Sequence, residues 1–520
     1  MALPLAATLG ALTGLGFAPV GWWWATIVGF GGLVLLWQGA GARRGLAIGY
    51  VFGLGYFGIT VWWVGNLGWW LPIPLVAFLA LWAGLAGWIT GWTLSRGPAW
   101  LQPWWPLVAA GAWTTGEWCA ARVPFGGFCW SRFAYTVPDQ PLGGLLPVLG
   151  AGGTSFAVAL CGACAAWLVA GPSRRQRATA VAIVAGLMVA GGALRLWPAP
   201  APAGTLRVGV IQGNTDVSAG PLSIGSYRTV TAMHLGETIT ALANWRAGGT
   251  APPDFLLLPE NATDTDPGQD ATTAAMVNQI SGLAGVPMLI GVISRGPGPG
   301  ERQTTALWWM PAQGPIARLD KMNLAPFGEF VPLRGFFSRF VPLTQDVGPQ
   351  SVPGSGPRVL HVALGDGTPL VVGNVICYEL AYDSTVYSTV NSGAQIITVQ
   401  SSNESMSGTW QPAQQFAMTR VRAMEMRRDV VVATTQSFSG FIDPRGHVVD
   451  VTQPAQGAFR LYEVATGTGV TPGVLAGPWL EAGVAALTAM GGLLGLAGLW
   501  RGRRTRLAAR VEATQQGVTQ

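Results

Sequence analysis

Residues 1–42 and 45–95 of this chain contain no aspartate, glutamate, lysine or arginine. A water-soluble surface has to carry charge, so runs of this length belong in a lipid bilayer. A helix crosses a hydrocarbon layer about 30 Å thick in about 20 residues, so each run predicts two spans. The breaks fall at "FAPVGWWW" and "GNLGWWLPIP", where proline, glycine and interfacial tryptophan coincide. Further apolar runs near 100–120, 143–170, 178–194 and 482–500 bring the expectation to about eight spans.

Charge placement separates a second region. Residues 196–473 hold 20 Asp plus Glu against 16 Lys plus Arg, whereas the rest of the chain holds 14 basic residues against 4 acidic ones. The net charge of +6 therefore sits in short clusters between apolar runs, which argues for membrane topology and against nucleic-acid binding. With the N-terminus inside, Arg43, Arg44, Arg96, Arg174, Arg175, Arg177 and the tail "RGRRTRLAAR" all fall on the cytoplasmic side. The expected organisation is a seven-span membrane domain over 1–195 and an extracytoplasmic domain over 196–473. An eighth helix over 474–500 and a basic cytoplasmic tail over 501–520 complete it. The N-terminus lacks the basic flank of a cleavable signal, so the first span is expected to stay.

Within 196–473 the pattern turns to short β-rich runs. Strands are predicted at "TLRVGVIQ", "DFLLLPE", "PMLIGVIS", "TALWWMP", "PIARLDK", "PLVVGNVIC", "AQIITVQSS" and "VVVATTQ", with "GFIDPRGHVVDV" as a hairpin. Helices are predicted near 225–246, 271–284 and 411–428; in the last, Glu425 is within helical reach of Arg422 or Arg428. Alternating strands and helices imply a layered α/β domain.

Three of these runs end in reactive residues: Glu260, Lys321 and Cys377. In α/β sheets reactive groups collect at the carboxyl ends of strands, so the three are candidates for one crevice. Lys321 is the single lysine against 29 arginines, and Cys377 is the single cysteine beyond residue 200. An isolated cysteine is ordinarily a small buried apolar residue, and an isolated lysine a solvated one. Their convergence with a carboxylate favours chemistry instead. A thiol nucleophile needs a base and nearby positive charge; Glu260 suits the first role and Lys321 the second, aided by a backbone N–H such as that of Tyr378. His361, mid-strand, and His447, in a hairpin, are poorer partners, and His234 completes the histidines. Cys161 and Cys164 form a CxxC inside an uncharged span, which reads as helix packing; no metal or cofactor is expected. Spacing leaves open whether Cys119 and Cys129 pair.

The order of Glu in "LLLPEN", Lys in "RLDKMNLAPFGEFVP" and Cys in "GNVICYE" resembles the Glu-Lys-Cys triad of the nitrilase (carbon-nitrogen hydrolase) superfamily. Set between upstream and downstream spans, these motifs are similar to those of the apolipoprotein N-acyltransferase family. The resemblance implies an αββα sandwich, with Glu260, Lys321 and Cys377 as triad and Glu329 and Glu379 as supporting carboxylates. Met406 departs from the aromatic residue common there. It further implies a phospholipid acyl donor, a diacylglyceryl-cysteine apolipoprotein acceptor, a ping-pong thioester mechanism and a bacterial inner-membrane location. The segment "FVPLRGFFSRFVPL", with Phe336 and Phe337, reads either as an ordinary loop or as a lid that dips among lipid headgroups.

Two other classes compete. A membrane-tethered amide or nitrile hydrolase would use the same triad with water as acceptor. A transporter or receptor with a decayed enzyme domain would form no acyl-enzyme, and the scarcity of intramembrane charge already disfavours ion-coupled transport.

Overall fold

A computed structural model of the chain describes residues 1–97, 99–171, 173–214, 228–249, 251–337, 339, 349–356 and 358–493, with backbone alone for Ala99 and Phe337. A helix lies in each of the eight apolar regions. These are α1 (Ala2–Gly14), α2 (Trp23–Trp37), α3 (Ala42–Thr60), α4 (Pro72–Arg96), α5 (Trp105–Ala120), α6 (Leu146–Ala170) and α7 (Arg174–Arg195), then Pro472–Leu493 after the α/β region. The tail over 501–520 and the end of the eighth apolar run lie outside the described residues.

Length and composition qualify four of these helices to cross a membrane: α4, α6 with its lead-in from Pro141, α7 and Pro472–Leu493. The expectation of eight is therefore not reached on that criterion. Helices α1 and α2 are apolar but have 13 and 15 residues, and at 1.5 Å per residue they reach about 20 Å of a layer about 30 Å thick. Turns rich in proline, glycine and tryptophan consume the remainder of each uncharged run.

Small residues let these helices approach. A Cβ on Gly45 would lie 2.3 Å from the carbonyl oxygen of Gly87, and one on Gly87 would lie 2.1 Å from that of Gly45. Helices α3 and α4 thus touch backbone to backbone, the close packing that drives association where lipid offers no hydrophobic gain. Helix α6 is broken at Gly150 (φ 68°, ψ 179°), a conformation that glycine adopts without a Cβ penalty.

The α/β region contains β1 (Gly204–Gln212), α8 (Thr229–Ala247), β2 (Phe255–Leu257), α9 (Ala271–Ala284), β3 (Met288–Arg295), β4 (Glu301–Met310) and β5 (Gly314–Asp320). It continues through α10 (Arg334–Phe337), β6 (Gln350–Ser351), β7 (Val359–Ala363), β8 (Pro369–Ile376), α11 (Asp383–Asn391), β9 (Ile396–Ser401) and α12 (Gln411–Met426). Strands β10 (Val430–Thr434), β11 (Gly440–Ile442), β12 (Val448–Val451) and β13 (Ala458–Thr466) close it, and α13 is Pro472–Leu493. Among the described residues one sheet runs β13-β1-β2-β3-β4-β5 with β6 beside β4, and the other runs β12-β11-β10-β9-β8-β7. Strands β1, β2 and β3 are mutually parallel, as are β8, β9 and β10, and the flanking pairs are antiparallel.

The side-chain period of two sorts each strand between two cores. Val208 and Val210, Phe255 and Leu257, and Leu289 pack between the sheets against Val372, Ile376, Ile396 and Val431. Their neighbours Ile211, Leu256, Leu258, Met288 and Ile290 face outward onto α8 and α9 through Leu235, Leu242, Val277 and Ile280. On the other side Val375, Ile397, Val399 and Val432 meet Val386 and Val390 of α11 and Ala423 and Met426 of α12. The order is helix, sheet, sheet, helix, the nitrilase-like layering that the motifs implied.

Candidate active site

Each candidate residue sits just past the end of a strand. Strand β2 ends at Leu257, three residues before Glu260, because Pro259 lacks the N–H that would extend the ladder. The expectation that Glu260 closes the strand is corrected by that distance. Lys321 follows β5 directly, and Cys377 follows β8 and opens a 3₁₀ turn, Cys377–Ala381.

The three converge. Lys321 Nζ donates to Glu260 Oε1 at 2.9 Å and to Glu329 Oε1 at 2.7 Å, with Lys321 only 2% exposed. Glu260 is buried as well, and its Oε2 accepts the Ser402 N–H at 2.9 Å from the end of β9. Glu329 Oε2 takes the Ala325 N–H at 2.7 Å, which folds "APFGEF" back over the lysine. Burial alone would lower the Lys321 pKa, but Glu260 and Glu329 more than reverse it, so the ammonium stays charged.

Cys377 is held at φ 54°, a left-handed conformation that a non-glycine residue keeps only when its surroundings fix it. Burial first, then the negative charge of Glu260, pushes its thiol up to about 12, against the lowering effect of Lys321; Glu329 and the hydrogen bond to Glu260 add to the rise. The resting sulfur is therefore a thiol that faces a carboxylate.

Glu379, expected as a supporting carboxylate, acts on the backbone. It does not contact the Lys321 ammonium but accepts the N–H groups of Met322 (2.8 Å), Asn323 (3.0 Å) and Ile376 (3.0 Å). One carboxylate thus ties the chain after Lys321 to the chain before Cys377. Burial raises its pKa, and these three amides oppose the rise. Tyr378 is buried, with its ring stacked on Trp130 at 6.1 Å and 10°. Trp130 Nε1 in turn donates to Gln414 Oε1 of α12 at 2.6 Å, and Trp63 Nε1 to the same oxygen at 3.1 Å. Residues 63 and 130 belong to the helical region, so that region forms one wall of the site.

Other expectations resolve individually. Arg422, not Arg428, pairs with Glu425, at 2.6 Å. Cys119 and Cys129 are both unpaired, and Cys161 and Cys164 are buried in the helix core. His234 is buried with Nδ1 on the Val230 carbonyl, while His447 is exposed and bonded to Asp443. Phe336 is 57% exposed on α10; the Phe337 side chain and residues 338 and 340–343 of the lid candidate lie outside the described residues. Sequence reasoning missed Ser402, Trp130 and Gln414, whose roles come from contacts across 142 residues in the first case and 284 in the Trp130–Gln414 pair.

Comparison with known proteins places both parts. Residues 9–164 match the apolipoprotein N-acyltransferase N-terminal domain family and residues 253–458 the carbon-nitrogen hydrolase family. The apolipoprotein N-acyltransferase of Mycolicibacterium smegmatis is 32% identical over 508 residues, covering 92% of this chain and 83% of that one. That of Methylococcus capsulatus is 28% identical, covering 99% and 98%. Among solved structures, an amidase from Nesterenkonia sp. is similar at 17% identity and a TM-score of 0.35, covering 51% of this chain and 92% of that one.

Proposed function

This chain belongs to the apolipoprotein N-acyltransferase family, and we propose that it moves a fatty acyl chain from a phospholipid to the N-terminal amine of a diacylglyceryl-cysteine apolipoprotein through a thioester on Cys377. Glu260 is the general base. As the sulfur attacks the ester carbonyl of the donor, its proton passes to Glu260, the carbonyl oxygen takes the negative charge, and collapse expels a lysophospholipid that carries the proton away. The α-amine of the acceptor then attacks the thioester carbonyl, Glu260 takes the amine proton, and the thiol is reformed as the amide departs.

Lys321 is the electrostatic partner of the oxyanion. An ammonium has three N–H donors, and Glu260 and Glu329 take two, which leaves a third for the developing charge. An arginine would bring a planar fork into a buried pocket shaped for a point charge. The Tyr378 backbone N–H, one residue past the nucleophile, is the second donor.

The reading places 1–195 and 474–500 in the bacterial inner membrane and 501–520 in the cytoplasm. Residues 196–473 then lie on the extracytoplasmic face, where both lipid substrates arrive by lateral diffusion. The observation that carries it is the Glu260–Lys321–Glu329 cluster beside the half-buried Cys377 thiol, in a chain whose helices supply one wall of that site.

Intact-mass analysis with phospholipid tests it. Wild type should gain one fatty-acyl mass that a diacylglyceryl-cysteine peptide discharges as N-acyl peptide, and Cys377→Ala should gain none. Release of free fatty acid in place of N-acyl peptide would favour the hydrolase.

A further inference from the structure

A chain of buried charges joins the membrane helices to the nucleophile turn, and the acyl-transfer steps above do not use it. Arg132, in the connection between α5 and α6, is 2% exposed. Its Nη1 reaches Asp383 Oδ2 at 2.7 Å, its Nη2 reaches Glu481 Oε1 of α13 at 2.5 Å, and its Nε lies 3.9 Å from Glu117 Oε2 of α5. The other oxygen of Asp383 takes Nη2 of Arg422, on α12, at 2.8 Å. Asp383 is therefore shared between a guanidinium from the helical region and one from the α/β region.

Arg422 carries the connection to the active site. Its Nε donates to the Leu380 carbonyl at 2.8 Å and its Nη2 to the Ala381 carbonyl at 3.3 Å. These carbonyls close the turn that Cys377 opens. Tyr135, three residues beyond Arg132, donates its hydroxyl to the same Ala381 carbonyl at 3.1 Å. Glu425, which anchors Arg422, also accepts the Ala151 N–H at 2.6 Å, an amide released from its helix by the break at Gly150. These ties lead back to the helical region, Tyr135 directly and Arg422 through Asp383 and Glu425.

Stability does not account for this arrangement. Desolvating so many charges offsets most of their mutual attraction, and apolar side chains of equal volume commonly do as well. Direction is what such a network adds, since each guanidinium fork fixes the angle of the carboxylate it holds. The strained φ of Cys377 needs fixing from both sides: Glu379 holds the residue before it, and Arg422 holds the residues after it.

Resting on the proposed acyl transfer, we propose that Arg132 and Asp383 are positioning residues that tie the Cys377 turn to the membrane helices. They hold the sulfur at a set height and angle to the bilayer from which the acyl donor enters. They touch no reacting atom and act through Arg422 and the carbonyls of Leu380 and Ala381.

The test is a single-turnover time course of acyl-enzyme formation by intact mass. Full-length protein is used, reconstituted in vesicles of phosphatidylethanolamine and phosphatidylglycerol, with wild type, Arg132→Gln, Arg132→Lys, Asp383→Asn and the Arg132→Gln/Asp383→Asn double variant. The rate constant reports positioning, and the amplitude reports the fraction folded. A misplacement of about 1 Å slows such a step by up to about 100-fold, so Asp383→Asn and Arg132→Gln should each lower the rate constant roughly 10- to 100-fold, with unchanged half-saturating lipid. Arg132→Lys, which keeps charge but loses the fork, should fall between. The double variant should be no slower than the slower single, because both act through one contact. Loss of amplitude at a wild-type rate constant, or additive effects in the double variant, would overturn the inference. Absence of acyl-enzyme in wild type would instead sink the acyl-transfer reading itself.

Discussion

Replacing Glu260 with glutamine should move two reactions of Cys377 in opposite directions. Acyl transfer loses its base, which is worth roughly 10²- to 10⁴-fold. Alkylation by a small soluble electrophile such as iodoacetamide needs only thiolate; burial first and Glu260 second push the thiol up to about 12, so Glu260 adds to the suppression of thiolate. A unit charge at about 4 Å in an effective dielectric of about 20 is worth at most about 4 kcal/mol, and attenuation to a quarter leaves about 1 kcal/mol. Each 1.36 kcal/mol is tenfold in thiolate, so the gain in thiolate lies between about 5-fold and about 1000-fold. A less basic thiolate is also a weaker nucleophile, with a Brønsted slope of about 0.4 to 0.5, which trims the net acceleration to roughly 2- to 60-fold. The assay follows the mass of the Cys377 peptide after timed alkylation at pH 7.5, beside acyl-enzyme formation on vesicles. Slower alkylation in Glu260→Gln would refute the picture of an anionic Glu260 that holds a protonated thiol.

Lys321→Met should lower the rate constant of acyl-enzyme formation by about 10²- to 10³-fold through loss of the oxyanion donor. The carboxylates of Glu260 and Glu329, left unpaired, should also cost about 3–5 kcal/mol, read as a lower thermal midpoint in detergent. Glu379→Gln keeps the shape but puts an NH₂ where a carboxylate oxygen accepted N–H bonds; at about 1–3 kcal/mol per amide left unsatisfied, it should lower both the midpoint and the rate constant. Gly150→Ala forces a Cβ into a left-handed conformation 2.9 Å from the Gly473 carbonyl oxygen, and should destabilise by more than about 1 kcal/mol in the same melt. The Phe336→Ser/Phe337→Ser double variant should reduce turnover on vesicles while the melt stays at wild type; equal loss of both would identify an ordinary loop.

Much of the site was legible because its signals are local. Short apolar, β-branched runs mark β1, β3 and β8 and a weaker one marks β5, and strand ends in a layered α/β fold face a common edge, so Lys321 and Cys377 could be placed by counting. Strand β13 gave no comparable signal. It pairs antiparallel with β1 across about half of the chain, from Gly204 beside Thr466 to Gln212 beside Ala458, and its exposure is too mixed to read as alternation. Helix α11 is nine residues long and largely polar, shorter than any window that shows a helical period. Uncharged length counts about eight spans while four helices meet the length-and-composition criterion, because residues that leave the helix at proline and tryptophan add to a run without lengthening its helices.

The buried charges show where sequence reasoning stops and why. Glu117 is one of two carboxylates before residue 196 and Arg132 lies between two apolar runs, and ionisable groups near a bilayer face a protein interior or a functional path. That much follows from position alone. Their partners do not, because Asp383 and Glu481 lie 251 and 349 residues away from Arg132 and no local pattern selects them from the chain's other carboxylates. Burial supplies the selection: a guanidinium 2% exposed must be met by carboxylates or remain unpaired, and the fold brings Asp383 within reach only when the nucleophile turn is seated against the helices. On the positioning role proposed for Arg132 and Asp383, the ion pair and the active geometry form together, and the membrane helices are part of what orients the sulfur.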